Sequence, residues 1–336
     1  MKSRSMRLIQ GAAVASTLAA SMFAFVGGNV AVAGASSKIS VGFVVGAEAD
    51  PFFQSMYVGA SAEAKKLGVN LIWQGDPVDY SPSTQLPIIQ QVLAEKPSAM
   101  VIAPTDTKAL EGVTALSVKE GIPVINVDSG NASQSNIYSW ITGFNYQGGE
   151  AAAQALASAL NYKTACTAAK KCTVAVGVSS LTTSTDAARV SGFEYAVKHS
   201  YPNFTLLNAV VSNSQPSKAQ AGFATEITAD HLAGIFAVDG TDAEGASAAV
   251  LASGSAGKGI KVAAYDAYAS NEASLKAGIL AAVVSQQPTL EGKLAVQAAY
   301  DAVKHIKVKH LQLIPNILLT TANCAKLCAK YVYVAS

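Results

Sequence analysis

AMVIAPTDTKALEGVTALSVKEGIPVINV, residues 99–127, reads as strand, helix, strand. Ala99–Ala103 (AMVIA) and Ile122–Val127 (IPVINV) are short apolar runs rich in β-branched side chains, and Ala109 to Glu120 between them carries helical spacing. Gly121 stands at the helix-to-strand junction, where a left-handed cap is expected. Neither run alternates polar with apolar. A strand of that kind is covered on both faces, which places the unit in a parallel sheet flanked by helices.

The same rhythm extends in both directions. Upstream lie Ile39–Val45 (ISVGFVV), a helix over Phe53–Leu67, Gly68 at the next junction, a strand over Val69–Trp73 and a helix from about Pro82 to Glu95. Downstream, a helix near Gln147–Leu160 leads to a strand at Thr173–Val178 and a helix from about Asp186 to His199. Strands at Thr205–Val211, Gly234–Val238, Ile260–Ala264 and Leu280–Ser285 follow. One sheet holding them all would be unusually wide, so the expected fold is α/β with two doubly wound parallel-sheet lobes.

In such folds ligands bind beyond the carboxyl ends of the strands. Those ends carry Glu48 to Phe53, Pro104-Thr105-Asp106, Asp128-Ser129, Asp239-Gly240, Asp266 and Gln286. Carboxylates and amides that pair with hydroxyls, next to aromatic faces that cover C–H surface, suit a sugar.

The first residues speak for export. Lys2, Arg4 and Arg7 precede an apolar run from about Leu8 to Val26 that closes on Ala31-Val32-Ala33, so a signal peptide over 1–33, cut before Gly34, is expected. A membrane anchor is the rival reading, but Gln10, Ser16, Thr17 and Ser21 dilute the run. The first cysteine is Cys166, which leaves no lipobox, so no direct membrane anchor is expected and the localisation is periplasmic or secreted. Cleavage takes Lys+Arg from 24 to 21 against 22 acidic residues and the formal charge from +2 to −1. Without a basic cluster, nucleic acid is not an expected partner. The four cysteines form two close pairs, Cys166 with Cys172 and Cys324 with Cys328. Local disulfides are expected of an exported chain, although three connectivities are possible; a zinc site is the rival, and the spacing with no nearby histidine fits it poorly.

These segments resemble the ribose- and galactose-binding members of the type I periplasmic binding proteins over nearly the whole chain after Lys38. Asp50-Pro51-Phe52-Phe53 is similar to the family's aromatic segment after the first strand, and Ala103-Pro104-Thr105-Asp106 to its signature turn. Asn145-Tyr146 with Gly148-Gly149, and Ala187 to Phe193 around Arg189, resemble second-lobe segments; Asp128, Asp239, Asp266 and Gln286 fall at matching strand ends. The resemblance implies Asp50, Phe52, Phe53, Asp128, Asn145, Arg189, Asp239, Asp266 and Gln286 as ligand contacts. It also implies three crossings, near Gly143, Gln287 and Asn316, that make a three-strand hinge. The lobes are then residues 38–143 with 288–316, and 144–287 with 317–336, with both cysteine pairs in the second lobe. Ser129 stands where ribose binders have an arginine, Asp239 replaces an amide, and the second-lobe aromatic expected near Asn213 to Gln215 is missing. Those departures argue against ribose and for another pentose, a hexose or a polyol.

Blander readings stand beside each of these. Phe52 and Phe53 could be core, Asp128, Asp239 and Asp266 could cap the helices that follow, Asp186 could pair with Arg189 at i,i+3, and Trp140 could pack in the core or hinge. Gly254 to Gly259 lacks the phosphate-loop pattern, and His199, His231, His305 and His310 show no metal-ligand spacing. No catalytic motif is present, so no enzyme, cofactor or metal is expected. The expected function is capture of a monosaccharide for an ABC importer, with a membrane permease as protein partner and a monomeric state. A sensory receptor that presents a ligand to a chemoreceptor or sensor kinase is the alternative. A repressor is disfavoured because an export signal occupies the place of a helix-turn-helix.

Overall fold

The computed structural model describes residues 38–333. The expected signal peptide and its cleavage point lie outside the described residues. In chain order the first elements are β1 (Ser40–Ala47), α1 (Pro51–Leu67), β2 (Asn70–Asp76), α2 (Pro82–Ala94), β3 (Ala99–Ile102), α3 (Glu111–Lys119), β4 (Val124–Val127) and β5 (Ser139–Gly143). Then come α4 (Asn145–Ala159), α5 (Tyr162–Ala165), β6 (Cys172–Val178), α6 (Ser184–Ser200), β7 (Phe204–Leu206), β8 (Val210–Val211), α7 (Pro216–Asp230), β9 (Gly234–Ala237), α8 (Gly240–Ala252), β10 (Lys261–Tyr265), α9 (Ala269–Lys276) and β11 (Leu280–Ser285). The chain closes with α10 (Pro288–Val303), β12 (Leu311–Ile314), β13 (Ile317–Thr320) and α11 (Thr321–Tyr331).

Two sheets result, and the fold is the expected pair of lobes. The first runs β12-β5-β4-β3-β1-β2, all parallel; the second runs β13-β11-β10-β9-β6-β7, with β8 also on β6. Strand bodies such as β3 and β4 are wholly buried, as continuous apolar runs require. Gly68 (φ 70°) and Gly121 (φ 78°) take the left-handed conformation expected at the junctions.

Three details depart from the sequence reading. The expected strand at 205–211 is two short strands, because β8 pairs with β6 one residue out of register with β7. β5 and β12 extend the first sheet, and β13 joins the second antiparallel to β11. That last strand breaks an otherwise parallel pattern because only two residues, Pro315 and Asn316, separate it from β12.

Strand order positions the cleft. β1 lies between β2 and β3, and β6 between β7 and β9, so each sheet reverses its winding there and opens a crevice at the carboxyl ends. Three short links join the sheets: Phe144, Gln286-Gln287 and Pro315-Asn316. They are tied together, since Asn316 Nδ2 donates to Phe144 O at 3.1 Å and Gln287 Nε2 to Pro315 O at 2.8 Å.

The cysteines pair locally as expected, Cys166 with Cys172 and Cys324 with Cys328. Both pairs sit on elements of the second sheet, at β6 and on α11. Glu272 lies beside Cys324 and Cys328, but the disulfide consumes both sulfurs, which removes the zinc reading.

Candidate functional site

Asp50 follows β1 and opens α1. Its Oδ1 accepts from the Phe52 amide at 2.8 Å, an N-cap that turns the chain sharply and sends Phe52 and Phe53 toward the cleft. The two rings meet edge to face at 5.2 Å, and Tyr80 stacks on Phe53 at 6.4 Å. Both phenylalanines are at least 95% buried and also line the cavity, so the core and ligand readings hold together.

Asp128 after β4 and Asp266 after β10 adopt left-handed backbone, with φ 57° and 62°. Aspartate tolerates that region better than most residues, and such strain gathers where structure over-determines a side chain's aim. Neither side chain caps its own following helix. Asp266 Oδ1 instead accepts from Gln286 Nε2 (2.8 Å) and the Tyr333 hydroxyl (2.9 Å), and its Oδ2 from the Gly240 amide at 3.2 Å. Asp239 does cap: its Oδ1 accepts from the Asp242 amide at 2.9 Å and the Thr241 hydroxyl at 2.7 Å, while Oδ2 takes the Ser179 amide at 3.0 Å.

Arg189 on α6 is the cation among these acids. Its Nε donates to Asn145 Oδ1 at 2.9 Å and its Nη1 to Val238 O at 3.0 Å, while the guanidinium lies 4.2 Å from the centre of the Tyr265 ring. From there it reaches Asp186 and Asp266 at 3.9 Å and Asp128 at 4.0 Å. Burial opposes its charge, but Asp266, Tyr265, Asp128 and Asp186 outweigh that and raise its pKa. The carboxyls are also pushed upward. Burial leads in each case, taking Asp50 to about 7 and Asp186 to about 8, and raising Asp128 and Asp266 against the pull of Arg189.

The cavity that these groups enclose measures about 50 Å³. It is narrow because the lobes touch around it. Tyr268 Oη donates to Asp50 Oδ1 at 2.6 Å, Thr183 Oγ1 to Thr105 O at 3.0 Å, and the Gly130 amide to Ser184 Oγ at 2.8 Å.

Of the nine expected contacts, the structure brings eight onto the cavity wall: Asp50, Phe52, Phe53, Asp128, Arg189, Asp239, Asp266 and Gln286. Asn145 stands behind the wall. Its Oδ1 holds Arg189, and its Nδ2 donates to Thr142 Oγ1 at 3.0 Å and Gly143 O at 3.2 Å, so it orients the arginine. Trp140 also lies off the cavity and donates to the Asp128 carbonyl at 3.1 Å. Asp186 does more than pair with Arg189, since it lines the cavity as well. The sequence reading missed Tyr80, Ser179, Thr185, Ser214, Thr241 and Tyr268. Ser179 and Tyr268 carried a signal, since Ser179 directly follows β6 and Tyr268 stands three residues past the end of β10. Tyr268 also supplies the second-lobe aromatic that was missing near Asn213, where Ser214 now faces the cavity.

Known proteins resemble the chain in sequence and fold. The ribose import binding protein of Bacillus subtilis is 29% identical over 276 residues, 82% of this chain and 85% of that one. Its counterpart from Haemophilus influenzae is 28% identical over 281 residues, 82% and 89% of the two chains. An ABC transporter solute-binding protein from Agrobacterium vitis, bound with alpha-D-tagatopyranose, superposes with a TM-score of 0.82 at 28% identity, covering 88% of this chain and all of the other. A carbohydrate transporter solute-binding protein from Agrobacterium radiobacter, in complex with D-arabinose, gives 0.81 at 27% identity over 87% and 97%. Among the described residues no helix is long and apolar enough to cross a membrane. With the family model for the periplasmic binding protein domain matching residues 41–307, the chain belongs to that family.

Proposed function

We propose that the protein is an extracytoplasmic solute-binding protein that captures a monosaccharide between its lobes and delivers it to the membrane permease of an ABC importer. One observation carries the reading: Arg189 of one lobe faces Asp128 of the other across a cavity walled by Phe52 and Phe53. Such a site is complete only when the lobes are together. Ligand therefore favours closure by whatever extra affinity the assembled site supplies.

In this reading Arg189 and the aspartates bond to the ligand's hydroxyls, and the phenylalanines cover its C–H face. Gln286 joins the wall to the hinge, and Asn145 positions Arg189. The hinge consists of the crossings near Gly143, Gln287 and Asn316, which divide the chain into lobes 38–143 with 288–316 and 144–287 with 317–336. The signal peptide is removed on export, the protein acts as a monomer, and it carries out no chemical step on its ligand. Support comes from the relatives, whose names describe sugar import, and from structural neighbours bound to tagatose and arabinose.

The test is a thermal-shift screen of the purified protein against pentoses, hexoses and inositols. A ligand at about 1,000 times its Kd stabilises the native state by about 4 kcal/mol. A clear shift with one group, lost in Arg189→Ala, supports the reading. Absence of any shift across the panel removes it and leaves the fold standing.

A further inference from the structure

Charge limits what the cavity can hold. Five aspartates line it, Asp50, Asp128, Asp186, Asp239 and Asp266, against Arg189 alone. The arginine is already committed to Asn145 and the Val238 carbonyl, and it meets three of the carboxylates only at 3.9–4.0 Å. No lysine or arginine among the described residues forms an ion pair with Asp50 or Asp239. Protein donors meet both oxygens of Asp239, whereas the two that Asp50 accepts, from the Phe52 amide and the Tyr268 hydroxyl, both go to Oδ1, so Asp50 is the acid with an oxygen left for a ligand. A second sign comes from Asp128, a cavity-lining residue only 6% exposed: its Oδ1 takes no hydrogen bond and has Arg189 Nη2 only at 4.0 Å.

A neutral sugar offers hydroxyl donors to these acids but no positive charge, so burial still holds Asp50 and Asp186 partly protonated near pH 7. A ligand ammonium supplies three donors and the missing positive charge together. The four rings on the wall, Phe52, Phe53, Tyr80 and Tyr268, favour a cation as well, since ring faces carry negative potential.

We propose, building on the sugar-binding reading above, that the preferred ligand is a monosaccharide or cyclitol bearing a protonated amine, with the amine facing Asp50. Arg189 then serves the ligand's hydroxyl side, and Asp50 its cationic side. The Asp50 carboxylate, held at about 7 by burial with Asp266 and Asp239 nearby, ionises fully once an ammonium sits beside it.

Isothermal titration calorimetry on the purified protein at pH 7.5 tests this with pairs that differ at one group: D-glucose against D-glucosamine, and D-galactose against D-galactosamine. scyllo-Inosamine against scyllo-inositol, which also differ at one group, probes the cyclitol arm. At least one amine should bind about 10-fold or more tighter than its hydroxyl partner, the scale of one charge-assisted hydrogen bond. Asp50→Asn keeps a good N-cap for α1 and should remove that preference with little change in melting temperature. Should the hydroxyl partner bind as tightly or more tightly in every pair, the amine proposal is overturned while sugar binding stands. If neither member of any pair binds, both readings fall. A preference that survives Asp50→Asn overturns the placement of the amine.

Discussion

Arg189 is 3% exposed, and its guanidinium is surrounded by Asp128, Asp186 and Asp266 within 4.0 Å. Truncating one partner of a buried ionic network strands the others and costs about 3–5 kcal/mol. Arg189→Ala should therefore lower unfolding stability by about that much in chemical denaturation, as well as abolishing ligand binding. A variant as stable as the wild type would mean that the three acids are protonated or solvated without it. Tyr268 makes a subtler test, because its hydroxyl bridges the lobes to Asp50 at 2.6 Å. Tyr268→Phe keeps the ring and deletes that bond, so closure is weakened and ligand affinity should fall about 10-fold, as for one hydrogen bond to a charged group. Calorimetry reads the loss, and an unchanged Kd would take the bond out of the closure energetics. The acids at strand ends were legible in sequence because the strand-end rule points to them directly. Asn145 stands behind the cavity wall with its Oδ1 on Arg189, a direction that sequence does not record, since sequence shows that a polar group is near the cleft and not which way it turns. Tyr80 and Ser214 come from loops whose path no periodicity records.

At the scale of elements, glycines set how closely the helices approach. A Cβ on Gly149 of α4 would lie 1.9 Å from Arg189 O, and one on Gly192 of α6 would lie 1.9 Å from Tyr146 O. In the other lobe, a Cβ on Gly59 of α1 would meet Thr289 O at 1.8 Å, and one on Gly292 of α10 would meet Met56 O at 2.1 Å. Each lobe thus holds a reciprocal glycine contact between two helices, made against backbone that cannot rotate away. Overpacking of this kind costs about 1–3 kcal/mol. Gly149→Ala and Gly59→Ala should both lower the melting temperature. Gly149→Ala should weaken ligand binding further, since it displaces the backbone of Arg189 itself. Equal affinity in the two variants would show that α6 absorbs the strain without moving its arginine. The long strands and helices of the fold could be read from sequence because their apolar runs and helical spacing are strong. The runs β5, β12 and β13 could not, since each is four or five residues long and mixes in polar side chains, as in SWITG and LQLI. Their place in the sheets is decided by the hinge crossings, which are long-range pairings with no local signature.

For the molecule as a whole, acid buried around the cleft makes stability depend on pH in a fixed direction. Asp50 is held at about 7 and Asp186 at about 8, against an ordinary aspartate value of 3.8, with burial as the leading cause of both. Glu291 on α10 belongs with them: it is fully buried, neither carboxyl oxygen has a hydrogen-bond partner, and burial with Asp128 nearby raises its pKa well above the ordinary range. Asp128, Asp266 and Arg189 are the charged groups that act on it. A folded-state pKa above the unfolded one means that the native state holds its protons more tightly. The associated stability is complete below about pH 4 and is lost as pH rises through 7 to 8. The unliganded protein should accordingly melt at a higher temperature at pH 5.5 than at pH 8.5, and Glu291→Gln should flatten the alkaline part of that decline. Ligand reverses the sense. Donors or positive charge placed against the cleft carboxylates favour their ionised form, so binding expels protons and affinity should rise between pH 6 and 8. Calorimetry in two buffers of different ionisation enthalpy measures that release directly. A melting temperature that stays level or climbs toward pH 8.5, together with binding that moves no protons, would mean that Asp50 and Asp186 are already ionised in the empty cleft.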